Sequence, residues 1–503
     1  MKTLYTFFLS TLPLLTFAQP TAAELDTLAH HYARASMDAL VELLALPNDA
    51  HYPADIERNV VWSEQAFAER GFTTQRLSTE AAPLLLATRR YSGAEKTVLI
   101  YLQVDGQPVD TSQWQQASPY QAVLKAPNGE DGWQTLDWSR LQGDINPDWR
   151  IFARSSADAK GPVMNFLTAM DIVNDQGYNP NFNIKVIMDF EEELGSPHLP
   201  AAVDRYQDEL AADWLIIFDG PMHSSNQPTL TYGARGIAKI TLEVFGPRVP
   251  QHSGHFGNYV PNPALRLTHL LSAMADPSGR VLIPGWYDGI ELSDAVRATL
   301  AQVPDDEAAI QRTVGIAATD SVADSYQASM QYPSLGILGL RSGWTGAETR
   351  TIIPSSALAE MNIRLVEETE GERMVQLVRD FVQRQGYHLV DSVPTEAERM
   401  RYSKLARFDA RVSYGAFRTD IDSEVGDWLR GAMQRAYGKP PVQIRTFGGS
   451  IPIAPFVNTL DLPAVIVPVV NKDNNQHSPN ENVRVGNYID GIKTVTAILT
   501  EEL

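Results

Sequence analysis

Five acidic residues and a histidine stand where apolar, strand-like runs end. YLQVDGQPVD carries Gln103 and Asp105 just past such a run, and ARSSADAKGP puts Asp158 in a small-residue turn ahead of a helix-like segment. MDFEEELGSPHL puts Glu192 and Glu193 after a second run, IIFDGP puts Asp219 after a third, and NKDNNQHSPNEN puts His477 in a polar loop after PAVIVPVV. Taken singly, a carboxylate at a strand end is ordinarily a helix cap or a solvated side chain. A lone histidine in a polar loop is ordinarily solvated too. Gathered at the carboxyl edge of one open α/β sheet, however, these residues form a donor set suited to zinc or manganese. A divalent cation makes water far more acidic and polarises a carbonyl, which is hydrolytic chemistry. Gln103 lies two residues before Asp105 on the same strand face, a carboxamide where an imidazole would be expected.

The elements that must position these residues follow from pattern. Residues 22–46 and 55–70 have helical spacing of apolar side chains. TVLIYLQV, IKVIMDF and WLIIF read as buried strands, and GPVMNFLTAMDIV between the first two reads as a helix. Strand, helix, strand in that order predicts an α/β fold with a mostly parallel sheet. The stretch 106–150, with Trp114, Trp133 and Trp138, reads as a long surface loop whose aromatics anchor it by packing. From Gly236 the pattern changes to alternating strands (AKITLEVFG, TRTIIP, LAEMNIRLV) and amphipathic helices (NPALRLTHLLSAMA, GERMVQLVRDFVQRQG), which predicts a separate α+β domain. After Val393 the first pattern returns, with a helix at VGDWLRGAMQRAYG and another from Tyr488. The expected organisation is a signal segment over 1–18, a catalytic domain over 19–235 and 394–503, and an inserted domain over 236–393.

Composition narrows the setting. The chain has 503 residues, 41 basic and 61 acidic, for a net charge of −20. That charge argues against nucleic acid or an anionic membrane as partner. MKTLYTFFLSTLPLLTFAQP has a positive start, a short apolar core and small residues ahead of a cut after Ala18, the pattern of a secretory leader. A secreted or periplasmic protein, free of the membrane once the leader is removed, is expected. There is no cysteine, so there is no disulfide and no thiolate metal site.

The motifs YLQVDGQPVD, SSADAKGP, DFEEELGS, IIFDG, TYGARGI, HSGHFG, NIRLV, GGSIP and QHSPNENV, in this order over nearly the whole chain, resemble the M20 family of metallopeptidases in its dipeptidase and carnosinase-like branch. The resemblance implies a phosphorylase/hydrolase-like catalytic domain holding one or two divalent ions, with an inserted lid that makes a homodimer. It implies that Asp158 bridges two metals, that Glu193 and His477 complete one site, and that Asp219 serves the other. It makes Glu192 the general base and Asp105 the acid that orients the neighbouring ligand. His252 is implied to stabilise the oxyanion, often across a subunit boundary, and Arg364 to bind the substrate carboxylate. Gly448, Gly449 and Ser450 are implied to line the substrate pocket. On residue type alone, His252 reads as a surface-loop histidine, and Arg364 has a structural ion pair in the lid as its alternative.

One position departs from the family. Gln103 stands where the second metal has a histidine, and a neutral amide oxygen is a weaker zinc ligand. Gln103 coordinates through its oxygen, or the second site holds nothing, or His223, or more remotely His198 or His255, substitutes. The function expected is metal-dependent hydrolysis of the amide bond in small peptides with a free carboxylate. N-acyl amino acids are the alternative substrate, and a peptide- or metal-binding protein without turnover is the alternative class.

Overall fold

The computed structural model describes residues 19–129 and 132–503. The leader-like segment 1–18 lies outside the described residues. No helix among them is long and apolar enough to cross a membrane.

The strand Thr97–Gln103 sits in the middle of an eight-stranded, largely parallel sheet. The order is Thr73–Leu77, Leu84–Arg89, Asn183–Asp189, Thr97–Gln103, Trp214–Ile217, Ala464–Ile466, Thr229–Thr231, Val442–Ile444. Thr97–Gln103 runs parallel to both neighbours. Its side chains alternate between two apolar clusters: Val98, Ile100 and Leu102 join one, and Leu99 and Tyr101 the other. That double burial is why the strand is a continuous apolar run. Helices Lys160–Gln176 and Val485–Leu499 pack together in the first cluster. Parallel strands deliver their carboxyl ends to one edge, so Gln103, Asp189 and Ile217 end side by side, with Asp105, Glu192, Glu193 and Asp219 immediately beyond. The N-terminal segment forms Ala22–Ala35 and Met37–Leu44, two helices broken at Ser36, and then Pro53–Glu69.

Two expectations need correction. Residues 106–150 are not simply a loop. Val123–Asn128, Gly132–Thr135 and Arg150–Phe152 join Asn482–Arg484 in a four-stranded antiparallel sheet. Trp133 packs edge-on against Phe152, with the Arg150 guanidinium 5.0 Å from its centroid. The strands were hidden because one partner is supplied more than three hundred residues later. The inserted domain also continues past Val393. Its five-stranded sheet runs Ser334–Arg341, Ser356–Leu365, Gly236–Phe245, Leu405–Tyr414, His388–Val390. Leu405–Tyr414 pairs antiparallel with Gly236–Phe245 over nearly its whole length, so the chain leaves this domain near Tyr414. Helices Pro263–Ser272 and Gly371–Arg384 cover the sheet, burying Leu242, Met361, Ile363, Val378 and Phe408.

Phe408→Ala tests this boundary. Truncating a buried phenylalanine costs about 3–5 kcal/mol, and the loss should fall on the inserted domain. Hydrogen exchange should speed up in Gly236–Phe245 and Ser356–Leu365 and stay slow in Thr97–Gln103; the opposite pattern would return this strand to the catalytic domain.

Candidate metal centre

Asp158, Glu193 and His477 converge, each offering a donor atom within 4.8 Å of the other two. His477 Nε2 lies 3.0 Å from Asp158 Oδ2 and 3.4 Å from Glu193 Oε2. Asp158 lies in the turn leading into helix Lys160–Gln176, Glu193 in a short 3-10 turn (Glu192–Leu194) after strand Asn183–Asp189, and His477 in the loop after Ala464–Ile466. Three protein donors, two carboxylate and one imidazole, match the ligand number of a catalytic zinc site and also suit manganese.

The acids tolerate this crowding poorly by themselves. Burial, then the Asp158 charge, pushes the Glu193 carboxyl up to about 8, although His477 opposes the shift. The same two causes push Asp219 up to about 7. Glu192 is held well above the carboxylate range by burial and then by the charges of Asp219, Glu193, Asp158 and Asp105. The hydrogen bond to Asp158, with the Glu193 charge, carries His477 up to about 9. A cluster whose ionised form is this disfavoured fits a divalent cation, which reverses the penalty.

The turn that carries Asp158 is held by a residue that sequence reasoning missed. Glu481 is fully buried and accepts four hydrogen bonds: from Arg154 Nη1 at 2.7 Å and from the backbone N–H groups of Ser155, Ala157 and Asp158 at 2.9–3.0 Å. One carboxylate thus shapes the Ser155–Asp158 turn. It sits four residues after His477, so the two loops are locked together. Nothing in the polar run NKDNNQHSPNEN separates this glutamate from a solvated one. Gly106 completes the fit, since a Cβ there would stand 2.3 Å from Ser155 Oγ. Asp105 Oδ2 accepts the Glu193 backbone N–H at 2.9 Å, so it holds the Glu192–Glu193 turn that carries a candidate ligand.

A second cluster faces the centre from the inserted domain. Arg364 Nη1 donates to Ser450 Oγ at 2.8 Å, bringing the expected carboxylate-binding residue to the Gly448–Ser450 segment. Arg364 makes no ion pair among the described residues, against its structural reading. Arg235, from TYGARGI, is buried close by. Its N–H donates to Gly449 O at 3.1 Å, and its guanidinium bonds Tyr332 O at 2.7 Å. Burial and the Arg364 charge push it down to about 10. Tyr414 lies near both clusters: burial pushes its hydroxyl up, with the charges of Glu192 and Arg364 acting in opposite directions.

Not every expected residue joins. His252 is exposed on the inserted domain, its ring stacked on His255 at 4.4 Å and its Nδ1 accepting the Gly254 N–H. Nor does any of the substitute histidines reach Gln103. His223 is paired with Asp305 at 3.0 Å and with Ser225, His255 is stacked on His252, and His198 precedes helix Leu199–Arg205.

The Peptidase family M20/M25/M40 model matches residues 123–501. This chain belongs to peptidase family M20. It is 28% identical over 437 residues to the Cys-Gly metallodipeptidase dug1 of Schizosaccharomyces pombe, covering 82% of this chain and 81% of that protein. It is 26% identical over 491 residues to the Beta-Ala-His dipeptidase of Homo sapiens, covering 92% and 89%. The crystal structure of the M20 family metallo-carboxypeptidase Sso-CP2 from Sulfolobus solfataricus superposes with a TM-score of 0.76 at 25% identity, covering 92% of this chain and 98% of that one. The M20 protein is accordingly a metal-dependent peptidase by family.

Glu481→Gln keeps the shape and removes the charge that Arg154 and three N–H groups share. Loss of a residue that orients a metal ligand typically costs 10–100-fold in metal affinity. That drop is expected in zinc competition against a chelator, with the circular dichroism spectrum retained; unchanged affinity would remove Glu481 from the centre.

Proposed function

We propose that this M20 protein hydrolyses the amide bond of small peptides that end in a free carboxylate. The observation that carries this reading is the Asp158, Glu193 and His477 set with Glu192 beside it and the Arg364–Ser450 pair facing it. A divalent cation bound to the three ligands would supply Lewis acidity to the scissile carbonyl and to the attacking water. Glu192, adjoining the ligand Glu193 in sequence, takes the proton of that water and returns it to the leaving nitrogen. Arg364 and Arg235, neither with a carboxylate partner among the described residues, give the substrate carboxylate a doubly positive seat. Ser450 orients Arg364 toward it.

A second copy completes the reading. Strand Ser334–Arg341 forms the outer edge of the inserted domain's sheet and exposes Ile337, Leu338 and Leu340. An unpaired apolar edge of this kind supports a homodimer by strand addition. The exposure of His252 suits a role at a neighbouring subunit's centre. Export to the periplasm or outside the cell rests on the pattern of residues 1–18.

N-acyl amino acids are a second reading, favoured by one cavity. A cleft of about 710 Å³ lies between the two domains, walled by Met222, Ile310, Val314, Met330, Phe447 and Gly448. It begins within two residues of both Asp219 and Ser450. Its wall is mostly apolar, and Asp305 within it is already held by His223 and Gln327. An apolar acyl group would pack against this wall.

A panel of free dipeptides, their C-terminal amides and N-acyl amino acids, assayed before and after chelation, tests both. Turnover that needs metal and a free carboxylate is expected. Glu192→Gln should lower kcat by about 10²–10⁴-fold with bound metal unchanged. No turnover of any member by metal-loaded protein would end the proposal.

A further inference from the structure

We propose that each subunit binds one divalent cation, and that the side-chain amide of Gln103 replaces a second one. The inference rests on reading Asp158, Glu193 and His477 as ligands. Gln103 is buried at the end of its strand. Its Nε2 is 3.1 Å from Asp158 Oδ1 and 3.5 Å from Asp219 Oδ1, so one amide group spans two carboxylates. The two oxygens of Asp158 are divided between separate tasks. Oδ2 faces His477 Nε2 at 3.0 Å, and Oδ1 faces the amide.

Two carboxylates this close need a positive partner between them. In a two-metal centre a cation does this, bridged by a shared carboxylate. Here the polarised hydrogens of an amide do it by hydrogen bonding. Among the described residues Asp158, Glu193 and His477 can converge on one ion. On the far side of Asp158, Gln103 faces only two carboxylates, Asp158 and Asp219. The remaining polar atom of the amide, Gln103 Oε1, is buried without any hydrogen-bond partner. Turning the amide over would offer Oε1 as a ligand but would strip both carboxylates of their donor and leave the N–H groups in the unpartnered position. A neutral amide oxygen would be a poor exchange for an imidazole nitrogen. His223 and His255 are each engaged elsewhere, as described above. Asp219 therefore acts as a positioning residue that anchors the amide.

Metal analysis of dialysed protein, with calorimetric titration of zinc and manganese into the metal-free form, reads the stoichiometry directly. One ion per subunit is expected for the wild type and two for Gln103→His, which restores an imidazole between Asp158 and Asp219. His477→Ala should lose the single ion of the wild type. Two ions in the wild type would overturn the inference, as would one ion in both wild type and Gln103→His. No ion in the wild type would instead overturn the ligand reading itself. If Gln103→His does not fold, Gln103→Glu supplies an anionic ligand at the same place and is judged by the same count.

Discussion

Repulsion among buried carboxylates is the constraint around which this molecule is built. Asp105, Asp158, Glu192, Glu193 and Asp219 are delivered to one edge of a parallel sheet, and burial penalises the ionised form of four of them. Such a set persists only if the surrounding backbone holds it and some positive group offsets it. The backbone does so through hydrogen bonds to acids outside the ligand set. Glu481 fixes the Asp158 turn and Asp105 fixes the Glu193 turn. Arg154 neutralises Glu481, His477 faces two of the acids, and the Gln103 amide spans another pair.

The inserted domain contributes the opposite charge. Arg364 reaches across to Ser450, and Arg235 lies buried at the root of the insertion, one residue before the first strand of its sheet. An anionic centre and a cationic seat thus confront each other across the domain boundary, with Tyr414 between them. This polarity suits a substrate with an amide at one point and a carboxylate a few bonds away. It also ties binding to domain placement, because Arg364 and the acids ride on different sheets.

Much of the centre was legible in the sequence, and the reason is topological. Parallel strands announce themselves as apolar runs, and their carboxyl ends share an edge, so acids just beyond TVLIYLQ, IKVIMD and WLII had to meet. The missed residues depend on partners remote in the chain. Glu481 looks like any acid in a polar loop until the Ser155–Asp158 turn is folded against it. Leu405–Tyr414 shows its membership only through its ladder with Gly236–Phe245, some 170 residues earlier. The small sheet within 106–150 was obscured for the same reason, its fourth strand coming from Asn482–Arg484. His252 was identified by motif alone, and its location on an exposed surface could not follow from residues that leave the subunit boundary unspecified.

The central claim is that Asp158, Glu193 and His477 together hold the catalytic cation. Anomalous diffraction at the zinc or manganese edge, from crystals of metal-loaded protein, tests it most directly. The account predicts a peak within about 2.0–2.2 Å of one atom from each of these three residues. A peak coordinated elsewhere, in a protein that turns over substrate, would contradict it.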